Sequence, residues 1–133
     1  MMTTTELIEA YYAHFNRMNW DDMLGLLTDD VAHDVNESTR ELGKAAFKAF
    51  FERMNASYAE NLSDLSVTVN SDGSRAAAEY IVSGTYLRTD EGLPEATGQR
   101  YRLAGGAFFE IQHGKISRVT NYYNLQTWLQ QIK

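Results

Sequence analysis

The chain of 133 residues contains no cysteine. That excludes a disulfide framework and any thiolate metal site. It contains a single proline against a hydrophobic share of 44%, which marks a globular chain rather than a disordered one. Positive charge is scarce: 12 Lys and Arg face 18 Asp and Glu, for a net charge of −6. No basic stripe offsets phosphate, so nucleic acid is not an expected partner. An acidic chain is also repelled by anionic membranes. Long apolar runs are missing, and no membrane span is expected. The opening "MMTTTELIEAYY" lacks the basic segment and apolar run of a secretory signal. The expected location is therefore cytoplasmic. The length suits one domain, residues 1–133, around one core.

What is present falls into two halves. Thr3 with Glu6 reads as a capping box, and Leu7, Ile8, Tyr11, Phe15 and Met18 follow at helical spacing. Asn19 is placed to cap a second helix with Trp20, Met23, Leu24 and Leu27 on its apolar face. "VAHDVN" at 31–36 reads as a strand. A third helix over roughly 43–56 carries Phe47, Phe50, Phe51 and Met54 on one stripe. Strand patterns then dominate. "LSVTVN" alternates, "SDGS" at 71–74 is a hairpin signal, and "RAAAEYIVSGTYLR" at 75–88 is a long strand with a possible bend at Gly84. Residues 89–98 form a loop around Pro94. Strands at 99–111 and 116–124 come next, with Gly105 and Gly106 expected to mark a bulge. Leu125, Trp128, Leu129 and Ile132 belong to a last helix. Segregated helices and strands make an α+β domain with a largely antiparallel sheet, curved into a cone against the N-terminal helices. Such a cone leaves a cavity between sheet and helices.

The stretches "YYAHFNRMNWDDMLGLLTDDVAHDVN", "GKAAFKAF", "RAAAEYIVSGTY" and "GKISRVTNYYNL" resemble the nuclear transport factor 2-like superfamily. Within it the chain is similar to SnoaL-like and ketosteroid isomerase-related proteins, over almost its whole length. The resemblance implies the cone-shaped, cystatin-like α+β fold and a cavity for a small hydrophobic molecule. In ketosteroid isomerases a carboxylate nine residues before the glycine opening the third helix moves the proton. Asp34 stands nine before Gly43. A tyrosine of the first helix donates to the substrate oxygen, and Tyr11 falls on that position. The second donor of that family, a carboxylic acid, has no counterpart here, since Gly106 or Ala107 occupies its place. In relatives the polar residue ending the last strand commonly lines the pocket, and Asn124 takes that position.

Alternation along 31–36 separates Val31, His33 and Val35 from Ala32, Asp34 and Asn36. If Asp34 points into the cavity, Asn36 accompanies it and His33 points away. A carboxylate in an apolar pocket has a raised pKa and becomes a better base toward carbon next to a carbonyl. The enolate then needs a donor aimed at its oxygen, for which Tyr11, Tyr58 and Tyr122 are available. The expected catalytic set is Asp34, Tyr11 and His33, with Asn36, Tyr58, Tyr122 and Asn124 binding substrate. Against this, Asp34 could pair with Arg40, Tyr11 could be core, and Asn124 could cap the last helix. Tyr12 reads as a rim or interface residue. The faces of Glu79 and Arg118 stay open. His14, His33 and His113 are too dispersed for a metal site, and no cofactor is expected. Two functions follow. One is an isomerase- or cyclase-type enzyme acting on a hydrophobic carbonyl compound. The other is a non-catalytic binding protein for a small hydrophobic ligand. Epoxide hydrolysis would want a second carboxylate bridged by arginine. An outer sheet face rich in Tyr, Phe and Val points to a homodimer packed through it.

Overall fold

The computed structural model describes residues 1–133. In chain order the elements are α1 (Thr4–Asn16), α2 (Trp20–Leu24), β1 (Leu27–Val35), β2 (Glu41–Leu42), α3 (Lys44–Ser57), β3 (Tyr58–Val69), β4 (Arg75–Tyr86), β5 (Arg100–Gln112), β6 (Lys115–Tyr123) and α4 (Leu125–Gln131). The Thr3–Glu6 capping box forms as read, with both reciprocal hydrogen bonds. Asn19 precedes α2 but makes no side-chain cap. Asn124 does cap α4, accepting from Thr127 N at 3.0 Å.

The six strands form one sheet in the order β2-β1-β6-β5-β4-β3. Every pairing is antiparallel except β1 with β6. The helices lie against one face, which we term concave. On β1 that face carries Val31 and His33; on β6, Val119 and Asn121; on β5, Leu103, Ala107 and Phe109. Two apolar clusters cover it. The larger joins Leu7, Ile8, Tyr11 and Tyr12 of α1 to Phe47, Phe109 and Val119. The smaller joins Tyr58, Tyr86, Tyr101 and Leu103 to Ile132. Each large side chain fully withdrawn from water contributes about 1.5–3 kcal/mol. Tyr12, expected at a rim, is core instead: it is buried, 5.4 Å from the Tyr80 ring and 6.0 Å from Phe109.

Beside a register shift between Leu27 and Ala32 of β1, two irregularities lie farther across the sheet. In β3, Ser63 pairs with Ile81 and Ser66 with Glu79, so β3 holds one extra residue there. Asp64 takes it up at φ 55°. The bulge inverts the alternation: Tyr58, Glu60 and Leu62 face inward before it, Val67 and Val69 after it. The second irregularity falls between Glu110 and Ile111. The glycine pair 105–106 is therefore not a bulge, and Gly105 has a packing reason described below.

β3 is a sheet edge, and α1 packs along it. Asn16 at the end of α1 accepts from Leu62 N at 2.8 Å and donates to Leu62 O at 2.9 Å. Replacing Asn16 by Ala strands both backbone groups. We expect a loss of about 1–3 kcal/mol of unfolding free energy, read as a lowered urea midpoint at unchanged m-value. An unchanged midpoint would show that water serves the strand equally well.

Candidate active site

The parallel register of β1 on β6 pairs His33 with Val119 and Asp34 with Thr120. The consequence reverses the expected orientation. His33 points inward, and Asp34 points to the opposite, convex face. There Arg40 grips Asp34 with two hydrogen bonds, Nε to Oδ1 at 2.8 Å and Nη2 to Oδ2 at 3.0 Å. Thr120 Oγ1 donates to Asp34 Oδ2 at 2.6 Å and accepts from Arg118 Nη1 at 2.7 Å. Arg118 also meets Glu110 at 3.4 Å, and Glu110 meets Arg75 at 3.6 Å. The Arg40 guanidinium, with help from Thr120 and Arg118, holds the Asp34 carboxyl below the ordinary carboxylate range. A carboxylate so engaged is a weaker base, which is the opposite of what proton abstraction asks. This is the Arg40 pairing that the sequence offers as the alternative to catalysis. Arg118 and Glu79 both lie on this convex face.

The remaining expected residues divide. Tyr11 is core, edge-on to Tyr12 at 5.1 Å and to Phe109 at 5.9 Å, and desolvation raises its pKa. Asn36 stands just past β1 at φ 49° and accepts from Tyr123 N at 2.9 Å, so its amide joins two chain segments. Tyr122 is on the convex face, 48% exposed, beside Phe108. It borders an open depression of about 460 Å³ with Asp64, Glu79, Ile81 and Ala104. Asn124 is occupied by its cap. Tyr58 is concave but donates to Asp90 Oδ2 at 2.7 Å. The structure thus does not bring the expected set together.

His33 is 2% exposed among Phe47, Phe50 and Phe51, at ring distances of 4.3, 4.7 and 6.5 Å. Its Nε2 lies 3.4 Å from Asn121 Nδ2, and Nδ1 is buried without a partner. A hollow of about 500 Å³ between the end of β1 and α3 has His33 in its wall, with Val35, Glu41, Phe50 and Arg53.

A different carboxylate occupies the concave face. The two apolar clusters meet at Val82, which packs against both. Around that junction the register gathers Glu60 of β3, Tyr80 of β4, Tyr101 of β5 and Tyr123 of β6. Tyr101 Oη donates to Glu60 Oε2 in a short hydrogen bond. Trp128 of α4 walls the site edge-on, 6.0 Å from the Tyr101 ring and 6.2 Å from Tyr123. Glu60 is exposed by accessible surface, with protein crowding the side from which Tyr101 reaches it. Desolvation raises its pKa, partly opposed by the Tyr101 hydrogen bond. Burial first, and the Glu60 charge second, raises the phenols of Tyr101 and Tyr123, and burial chiefly pushes Tyr80 up to about 12. These phenols therefore stay protonated at neutral pH and act as donors. Sequence reasoning missed Glu60, although it stands between Tyr58 and Leu62 on one face.

Burial lowers the His33 pKa from 6.5 to about 4. The unfolded chain therefore takes up this proton first as pH falls. The stability from neutral His33 is complete above pH 6.5 and erodes through the window down to about 4. It amounts to about 3 kcal/mol over that window. We expect His33→Leu to flatten the pH dependence of the urea midpoint between 6.5 and 4 relative to the parent chain. Parallel profiles would contradict a buried, neutral imidazole.

The fold is shared with solved structures. A candidate polyketide cyclase from Pseudomonas putida KT2440 is 56% identical over 100% of both chains, with a TM-score of 0.98. A second candidate polyketide cyclase, from Xanthomonas campestris pv. campestris, is 57% identical over 98% of this chain and 96% of the other, with a TM-score of 0.96. A nuclear transport factor 2-like protein of unknown function from Burkholderia pseudomallei shares the fold at 13% identity and a TM-score of 0.82, over 100% and 99% of the two chains. No protein of curated function matches the sequence. The pattern of the SnoaL-like domain runs over residues 8–119, most of the chain, and the protein belongs to that family.

Proposed function

We propose that this SnoaL-like domain is a proton-transfer enzyme of the isomerase or cyclase type, acting on a hydrophobic carbonyl compound held at the junction of the two clusters. Glu60 takes a proton from the carbon next to the carbonyl. The electron pair moves onto the carbonyl oxygen, where Tyr80 and Tyr123 offer protonated phenols. The proton then returns at another carbon, or the enolate carbon attacks a second carbonyl, closing a ring and leaving an alkoxide that takes the proton back from Glu60. Tyr101 is already committed to Glu60 and steadies the carboxylate. The observation that carries this reading is a carboxylate on the concave face that takes the Tyr101 phenol across β4, with Tyr80 and Tyr123 on the same face. The two relatives described as candidate polyketide cyclases favour carbonyl chemistry of this kind.

The test uses 2-tetralone in deuterated buffer, with exchange at its acidic carbon followed by NMR. The parent chain is expected to accelerate exchange above buffer. Glu60→Gln should lose about 10²–10⁴-fold of that acceleration, while Asp34→Asn should stay within about threefold. Loss in Asp34→Asn with retention in Glu60→Gln would return the base to position 34. Binding of 2-tetralone without any exchange would favour the non-catalytic alternative.

The convex face supports a homodimer as part of the same proposal. Phe108 and Tyr122, each 48% exposed, form an aromatic pair beside charges of alternating sign, from Arg40 to Arg75. Light scattering at micromolar concentration should give twice the chain mass, and Phe108→Glu should give the chain mass. A monomeric parent chain would reject the interface.

A further inference from the structure

Glu60 and Tyr101 are not neighbours in the sheet. β4 runs between β3 and β5, and the register places Gly84 between them, paired with Glu60 on one side and Tyr101 on the other. Strands lie about 4.8 Å apart, so the two partners start about 10 Å apart. The phenol covers that gap by lying across Gly84. A Cβ at Gly84 would stand 2.3 Å from Tyr101 Cζ, 2.4 Å from Oη and 2.5 Å from Cε2. Non-bonded carbon atoms rest at about 3.5–4.0 Å, so even alanine would displace the ring. Gly84 does not adopt a positive φ. The position requires the absence of a side chain, not the conformational freedom of glycine. Gly105 repeats the device two rows away, where a Cβ would stand 2.7 Å from Tyr80 Cε1.

We propose that Gly84 is a positioning residue of the site: its missing side chain opens the passage through which the Tyr101 phenol crosses β4 to hold the Glu60 carboxylate. The catalytic meaning of this rests on Glu60 being the proton-transfer group; the geometry does not. A hydrogen bond to the charged form makes the acid easier to ionise, against the desolvation that opposes it. Gly84 thereby governs how much of Glu60 is ready to accept a proton at a given pH, although it touches neither substrate nor carboxylate.

The experiment titrates the Glu60 carboxyl carbon by NMR in the full chain, with its signal assigned by its absence in Glu60→Gln. Tyr101→Phe removes the phenol hydroxyl, and Gly84→Ala displaces the ring. Both should raise the Glu60 midpoint, by about 1. On a Tyr101→Leu background there is no ring to displace, and adding Gly84→Ala should move the midpoint by less than about 0.2. A Gly84→Ala midpoint equal to that of the parent chain overturns the proposal, as does an equal effect on both backgrounds. Should Gly84→Ala alone fail to fold, folding restored in the double variant supports the passage and continued failure overturns it. An intact cycle with no loss of exchange in Glu60→Gln would leave Gly84 in its role and reject Glu60 as the base.

Discussion

The register of β1 against β6 is the constraint on which the rest depends. Side chains alternate along a strand, so a slip of one residue would exchange the two faces of β1. In the observed pairing Val31 and His33 enter the core with Val119, and Asp34 joins Thr120 on the other side. Apolar burial decides this, because the opposite choice would place Asp34 among Phe47, Phe50 and Phe51 and expose the valines. An ionised carboxylate withdrawn from water without a partner is far more costly than a neutral imidazole packed on aromatic rings. The histidine is tolerated there because it gives up its proton.

Two acids on opposite faces therefore live under opposite conditions. Asp34 is surrounded by donors and cations and stays ionised. Glu60 has one neutral donor and a crowd of aromatic rings, so its two protonation states are brought closer in free energy. Environment sorts the pair into a structural link and a candidate proton carrier, as it does wherever neighbouring surroundings push carboxyl groups apart.

The fold was largely legible. The capping box, the aromatic stripe of α3 and the 71–74 hairpin each carried a local signal strong enough to survive into the structure. The site was not legible, for two physical reasons. Valines at 31 and 35 marked the inward face of β1, but counting nine residues back from Gly43 selected Asp34 on the outward one. In β3 the alternation of Leu65, Val67 and Val69, extended backward, turns Glu60 to solvent; only the bulge at Asp64 turns it inward. A bulge of this kind leaves little mark on composition. Nor does sequence alone show that two tyrosines need glycines beside them, because Gly84 and Tyr101 are partners only across the sheet.

The long outer strand has a consequence beyond the site. β3 spans 12 residues at an open margin of the sheet, the kind of strand onto which foreign chains add and from which fibrils grow. Here the kink at Asp64 breaks its straight run, and the Asn16 amide occupies the free hydrogen-bonding positions of Leu62 just before it. At the other margin β2 is only two residues long, too short to template anything. The same bulge that turns an acid toward the concave face thus also interrupts the rim as a template for another strand.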